Sequence, residues 1–202
     1  MTGGDKNSDK LVTIVLAIVI ILCIGTLVYV NIPQEKQTTQ KLNYVVRVSE
    51  VEKPVLTISY GSESFNYTLD ELIEMESYTG SGGYIKKSGV IIGPNNYTGV
   101  RISTLTNVFS NLPENYTIQA VASDGYTVSY TYDEIKGHVT VYNESGNETG
   151  IGNLTMIIAY KENGELLNES TGGPLRIVFV DEGAISSSRL WIRSLVSLSI
   201  KE

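Results

Sequence analysis

The sequence specifies an α+β fold: a single β-rich mixed domain preceded by one N-terminal transmembrane helix. Most of the chain beyond residue 41 alternates apolar and polar residues with a period of two, the signature of half-buried strands. Two short stretches depart from it with helical spacing. Ahead of both stands "LVTIVLAIVIILCIGTLVYV", residues 11–30, twenty residues without a charge. At about 1.5 Å per residue that run crosses a hydrocarbon core of roughly 30 Å.

The chain divides accordingly. Residues 1–10 form a short tail, 11–30 a signal anchor, 31–41 ("NIPQEKQTTQK") a polar linker, and 42–202 the domain. The apolar run is longer than the core of a cleaved signal peptide, so an uncleaved anchor is expected. Lys6 and Lys10 on one side face Lys36, Lys41 and Arg47 on the other, so positive charge does not orient it. Glycosylation signals do. Asn66, Asn96, Asn115, Asn143, Asn147, Asn153 and Asn168 each begin an Asn-x-Ser/Thr sequon, and all seven follow the apolar run. The expectation is a single-pass protein of the cell membrane with a glycosylated, extracytoplasmic C-terminal domain. The lone cysteine, Cys23, lies within the run, leaving the domain no disulfide; beside so many sequons this points to an archaeal cell surface. With a net charge of −7 and no Lys/Arg cluster, nucleic acid is not an expected partner.

Within the domain, strands are expected at "NYVVRVSE" from Asn43, "VLTISY" from Val55, "YTIQAVAS" from Tyr116, "YTVSYTY" from Tyr126, "NLTMIIAY" from Asn153, "LRIVFV" from Leu175 and "LWIRSLVSLSI" from Leu190. "TLDELIEME" opens with Thr68 and Glu71 in capping-box spacing and predicts a helix. "STLTNVFSNL" from Ser103 puts Leu105, Val108, Phe109 and Leu112 on one face and predicts another. Asp124-Gly125 suits a two-residue type I′ hairpin turn joining antiparallel strands. "GSGGY" from Gly80 lacks the lysine and the context of a phosphate loop and reads as a flexible loop.

Residues suited to catalysis are sparse. The domain has one histidine, His138, which reads as a surface residue at the start of a strand, and no G-x-S-x-G elbow for a Ser-His-Asp hydrolase. Zinc or copper would need several His or Cys ligands. Asp70, Glu71, Glu74 and Glu76 lie along one short helix as a solvated face.

Four stretches, in order, nevertheless form a pattern: "YTGVRISTLTNVF", "AVASDGYTVSYTYDEI", "MIIAYKENGELLNESTGGPLRIVFV" and "SSRLWIRSLVSLSI". Over about 145 residues their order and spacing resemble the oxidoreductase molybdopterin-binding domain, the fold of sulfite oxidases. The resemblance implies a ligand pocket rimmed by Thr171, Gly172, Gly173 and Arg176, with Asp124, Gly125 and Tyr126 opposite. It also implies a cysteine that ligates molybdenum just before the aromatic-x-Gly-Val segment. That region, "EMESYTGSGGYIKKSGVIIGPNNYTGV", contains none, and Ser77, Tyr78 or Ser81 would offer only harder oxygens.

The expectation is therefore a non-catalytic module on this fold that binds a small ligand or a surface protein, with no catalytic residues and no metal. Molybdopterin is the one cofactor the resemblance would bring. Two alternatives stand beside it: an active molybdopterin-dependent oxidoreductase with atypical metal ligation, and an unrelated β-rich envelope or adhesion module. An active enzyme should show a deep pocket lined by Arg176 and residues 80–83; a relic should show that space filled by Tyr78, Tyr84 and Tyr126.

Overall fold

The first strand of the described chain, β1 (Leu56–Tyr60), lies parallel to the last, β13 (Leu195–Lys201), with Thr57 opposite Ser197. The structure is a computed structural model and describes residues 52–202. The apolar run 11–30, the linker and the strand expected from Asn43 lie outside the described residues. Among those described, no helix is long and apolar enough to cross a membrane.

Around the β1–β13 pair a five-stranded sheet forms in the order β2-β1-β13-β5-β6, adding β2 (Glu63–Tyr67), β5 (Thr117–Ala122) and β6 (Thr127–Tyr130). A second, eight-stranded sheet runs β10-β9-β4-β3-β12-β7-β8, with β11 also paired to β9. Its members are β3 (Ser77–Ile85), β4 (Ile91–Arg101), β7 (Thr140–Tyr142), β8 (Glu148–Ile151), β9 (Thr155–Glu162), β10 (Glu165–Leu166), β11 (Arg176–Val180) and β12 (Ala184–Ser187). Three helices are short: α1 (Leu69–Glu74), α2 (Ile102–Thr106) and α3 (Tyr132–Ile135). Both sheets feed one core. Leu56, Ile58, Ile118, Leu198 and Ile200 come from the first, and Val100, Ile157, Ile158, Ile177, Val178 and Phe179 from the second. Every residue of β11 is buried, as its unbroken apolar run "IVFV" requires of a strand covered on both faces.

The capping box at Thr68 forms as its spacing predicts: Glu71 N–H donates to Thr68 Oγ1 at 3.2 Å, and Thr68 N–H to Glu71 Oε2 at 2.8 Å. A second box closes α3 between Thr131 and Glu134, where an unbroken strand was expected through Tyr132. The Thr-x-x-Glu spacing was present but masked by the alternation of "YTVSYTY" before it.

Three further expectations need correction. The helix from Ser103 ends at Thr106, leaving Phe109 buried and Val108 exposed; Thr, Asn, Val and Phe from 106 to 109 are weak helix formers. The Asp124-Gly125 turn is not type I′. Gly125 alone of the pair takes a positive φ, of 85°, and the loop closes over three residues, with Ala122 N–H donating to the Tyr126 carbonyl at 2.9 Å. The antiparallel pairing of β5 and β6 stands.

The third concerns "GSGGY", which is not a loop but lies in β3, within the second sheet. A Cβ at Gly80 would lie 2.9 Å from Val180 Cγ2, and one at Gly82 would collide with the Phe179 carbonyl. These glycines are bare because β11 presses on them, not because the chain there is free.

Tyr130 ties the two halves together: fully buried, it donates its hydroxyl to the Leu190 carbonyl at 2.8 Å. Burial raises its pKa, so the phenol stays a donor. Tyr130→Phe strands that carbonyl without a partner and is expected to lower stability by about 1–2 kcal/mol. Urea unfolding checks it, and an unchanged midpoint would show that the bond contributes nothing.

Candidate functional site

The Gly-Gly-Pro corner is built from Asn168 onward. Its Oδ1 accepts from Thr171 N–H at 3.2 Å, and Asn168 N–H donates to Thr171 Oγ1 at 2.8 Å, which winds residues 169–171 into a 3-10 turn. Gly172 ends the turn at φ 82°, and its carbonyl accepts from Ser194 N–H at 2.6 Å. A side chain there would run into Arg193. Gly173 packs so closely that a Cβ would stand 2.5 Å from the Leu167 carbonyl carbon. The bare backbone at this corner is thus required by packing against its own chain.

Arg176 follows in β11 and points inward, only 4% exposed. Its Nη1 donates to Glu162 Oε2 at 3.0 Å. The other oxygen of Glu162 accepts from Tyr97 Oη and from Asn95 Nδ2, each at 2.7 Å. The guanidinium carbon lies 5.3 Å from the centre of the Tyr97 ring and 6.0 Å from that of Trp191, which Tyr84 also touches at 5.0 Å. Burial, and then the bond it donates to Glu162, push the Tyr97 phenol up to about 12, although the Arg176 charge pulls the other way.

The seven rim residues therefore do not surround one pocket. Thr171, Gly172 and Gly173 make the corner, and Arg176 is occupied by Glu162. Asp124 accepts from Tyr126 N–H at 2.9 Å and shapes the β5–β6 turn with Gly125. Tyr126 alone of the seven lines a cleft beyond the end of β3, a space of about 490 Å³ bounded also by Ile85, Lys86, Lys87, Gly89, Tyr142, Ser187, Ser188 and Arg189.

That cleft exists because β3 and β12 run parallel with Ile85 opposite Ser187, which brings the Lys86-Lys87 turn alongside Arg189. Arg189 is held at one end by Glu134, whose carboxylate is nearly buried and also caps α3. The chain has 22 acidic residues against 15 basic, yet the cleft is lined by three cations and, among the described residues, no carboxylate. With the hydroxyls of Tyr126, Tyr142, Ser187 and Ser188, it suits an anion. A smaller cleft of about 150 Å³ shares Tyr142, Ser187 and Arg189 with it and adds His138. His138 is exposed, 4.0 Å from Asp133.

The residues present do not fit a molybdenum pterin. The described part contains no cysteine, and no three of its His, Asp or Glu residues are grouped to hold a metal. Ser77 is exposed, the Tyr78 ring is covered by Arg101 at 4.3 Å, and Ser81 gives its carbonyl to Asp181 and Gly183. The bare stretch at Gly80 and Gly82 is already filled by β11.

All seven sequon asparagines are exposed: Asn66 on β2, Asn96 on β4, Asn115 ahead of β5, Asn143 and Asn147 at the β7–β8 turn, Asn153 ahead of β9, and Asn168 after β10.

No protein-family model and no curated protein matches the chain. Among solved structures it is similar to the sulfane dehydrogenase SoxCD from Paracoccus pantotrophus, with a TM-score of 0.52 and 19% identity. The match covers 72% of this chain and 37% of that one. At that identity the likeness is one of fold, and it agrees with the sulfite oxidase-like fold that the four motifs imply.

Two outcomes follow from the buried cluster. Arg176→Met leaves Glu162 without its cation and is expected to cost about 3 kcal/mol in chemical denaturation; a loss under about 0.5 kcal/mol would mean that the pair is solvated and weak. Tyr97 has a raised folded pKa, so above pH 10 the unfolded chain releases its proton first. Stability should then fall as pH rises from about 10 towards about 12. Unfolding measured across that range should show a shallower fall for Tyr97→Phe; an identical slope would remove Tyr97 as a cause.

Proposed function

We propose that this chain is a membrane-anchored, extracytoplasmic domain that uses the sulfite oxidase-like fold without its redox chemistry and binds a small anion. The observation that carries this reading is the cleft at Lys86, Lys87 and Arg189, cationic within an acidic chain. Charge-assisted bonds from lysine and arginine suit phosphate, sulfate or carboxylate groups, and the tyrosine and serine hydroxyls add neutral donors around them. The opening is of small-molecule size, at the low end of ordinary ligand pockets.

The non-catalytic part of the reading is supported by the donor set. Molybdenum asks for a thiolate, which the described residues lack, and Arg176, the residue best suited to an oxyanion substrate, is already bound to Glu162. Anchoring is supported by the uncharged run 11–30, and an exterior location by seven sequons on exposed asparagines.

The full chain, purified from its native membrane in detergent, tests both halves. Molybdenum, tungsten and the fluorescence of released oxidised pterin are measured first, then calorimetric binding of inorganic phosphate. The expected result is neither metal nor pterin at stoichiometric level, with saturable phosphate binding that weakens at least about tenfold, or about 1.4 kcal/mol, in Lys86→Ser/Lys87→Ser. Stoichiometric molybdenum with pterin would make the chain an oxidoreductase, and phosphate heats that never saturate would remove the cleft as a binding site.

A further inference from the structure

The exposed outer strands of the two sheets are β2 and β6 on the first and β8 and β10 on the second; β11, which lies beside β10 on β9, is buried throughout. An edge strand offers unpaired N–H and C=O groups to any passing strand, and proteins commonly blunt it with lysine, proline or a covering element. Strands β2 ("ESFNY"), β8 ("ETGI") and β10 ("EL") contain neither lysine nor proline, and each carries a single exposed glutamate at its start. Each also exposes a large apolar side chain: Phe65 on β2 at 38%, Ile151 on β8 at 69% and Leu166 on β10 at 49%. One carboxylate per strand leaves the apolar end of each edge unguarded.

Each of these apolar residues has a sequon asparagine within two positions: Asn66 beside Phe65, Asn153 after Ile151 and Asn168 after Leu166. Asn147 stands at the other end of β8. The fourth edge, β6 ("TVSY"), buries its two large side chains and has no sequon. Side-chain bonding agrees. Asn66 accepts from Thr57 Oγ1 at 2.7 Å through Oδ1, and Asn168 accepts from Ser170 Oγ at 2.6 Å through Oδ1. Asn143 likewise uses only Oδ1, accepting from the Ser145 and Asn147 N–H groups. In none of these three does the amide nitrogen, the atom an N-glycan takes, donate to another described residue. Asn95, which begins no sequon, instead donates its nitrogen to Glu162.

We infer that glycans on Asn66, Asn153 and Asn168, with Asn147, seal the apolar sheet edges against pairing with neighbouring copies of this chain. The inference rests on the exterior, glycosylated reading above. A glycan is far wider than the roughly 4.8 Å that separates paired strands, so one attached on or beside an edge keeps the next strand away. The β6 edge, with nothing apolar to cover, needs none.

The test uses the full chain from its native, glycosylating host. Mass spectrometry of glycopeptides reads occupancy, and analytical ultracentrifugation in detergent reads self-association. The edge variant combines Asn66→Gln, Asn147→Gln, Asn153→Gln and Ser170→Ala, the last removing a sequon while keeping the Asn168 cap. The control combines Asn96→Gln with Asn115→Gln, two sequons away from the sheet edges. Occupied edge sites are expected, with self-association of the edge variant setting in at a concentration at least about tenfold below that of the parent or the control. Adding Phe65→Lys, Ile151→Lys and Leu166→Lys to the edge variant should restore the parent's behaviour, because charge guards an edge as bulk does. Edge sites without glycan would overturn the glycosylated reading and this inference together. Occupied sites whose loss changes association no more than the control, or a folded edge variant that lysines fail to rescue, would overturn the inference alone.

Discussion

The second sheet is organised around one carboxylate. Glu162, at the end of β9, receives Asn95 and Tyr97 from β4 on one side and Arg176 from β11 on the other. A carboxylate about four-fifths withdrawn from water is costly unless most of its lone pairs are used, and here three donors reach its two oxygens. The arrangement exists only if β4 and β11 flank β9 in one register, so the polar cluster discriminates against slipped pairings that the surrounding Ile and Val residues would tolerate equally well. Trp191, backed by Tyr84, lies beside the guanidinium, which is buried. The Arg176 Nε is left buried without a partner, the one unsatisfied side-chain atom of its kind among the described residues.

The same cluster explains why Arg176 is not free at the mouth of its strand. An arginine at the mouth of a strand beside a glycine corner has the chemistry to meet an oxyanion, and in sequence nothing distinguishes that role from an internal one. Its partner, fourteen residues earlier, decides the matter. Charge without a carboxylate partner among the described residues lies instead in the turn after β3, where Lys86 and Lys87 stand beside the Glu134-bound Arg189.

Legibility in the sequence followed locality. The α1 capping box, the β5–β6 hairpin and the strands of alternating Val, Ile and Tyr were readable because each is decided by neighbours within a few residues. The glycine stretch in β3 was not, since a strand without side chains has no alternation and its identity is set by Val180, about a hundred residues away. Strands β8 and β10 are short and polar and gave no period. The cleft was invisible for a similar reason. Lys86 and Lys87 look like a turn and Arg189 like the end of a strand until the parallel register of β3 and β12 joins them. The glycine corner was legible but not what it packs against, because the backbone that crowds Gly173 comes from Leu167 through a cap that only the folded turn reveals.

The pairing of β1 with β13 sets an order of events in time. Thr57 finds Ser197 only when some 140 intervening residues have been made, and β1 otherwise pairs only with β2, a hairpin too small to persist alone. The first sheet therefore closes last and all at once, around a strand that must wait unpaired while the rest of the chain arrives. A chain built this way holds its first sheet open until its last strand is made.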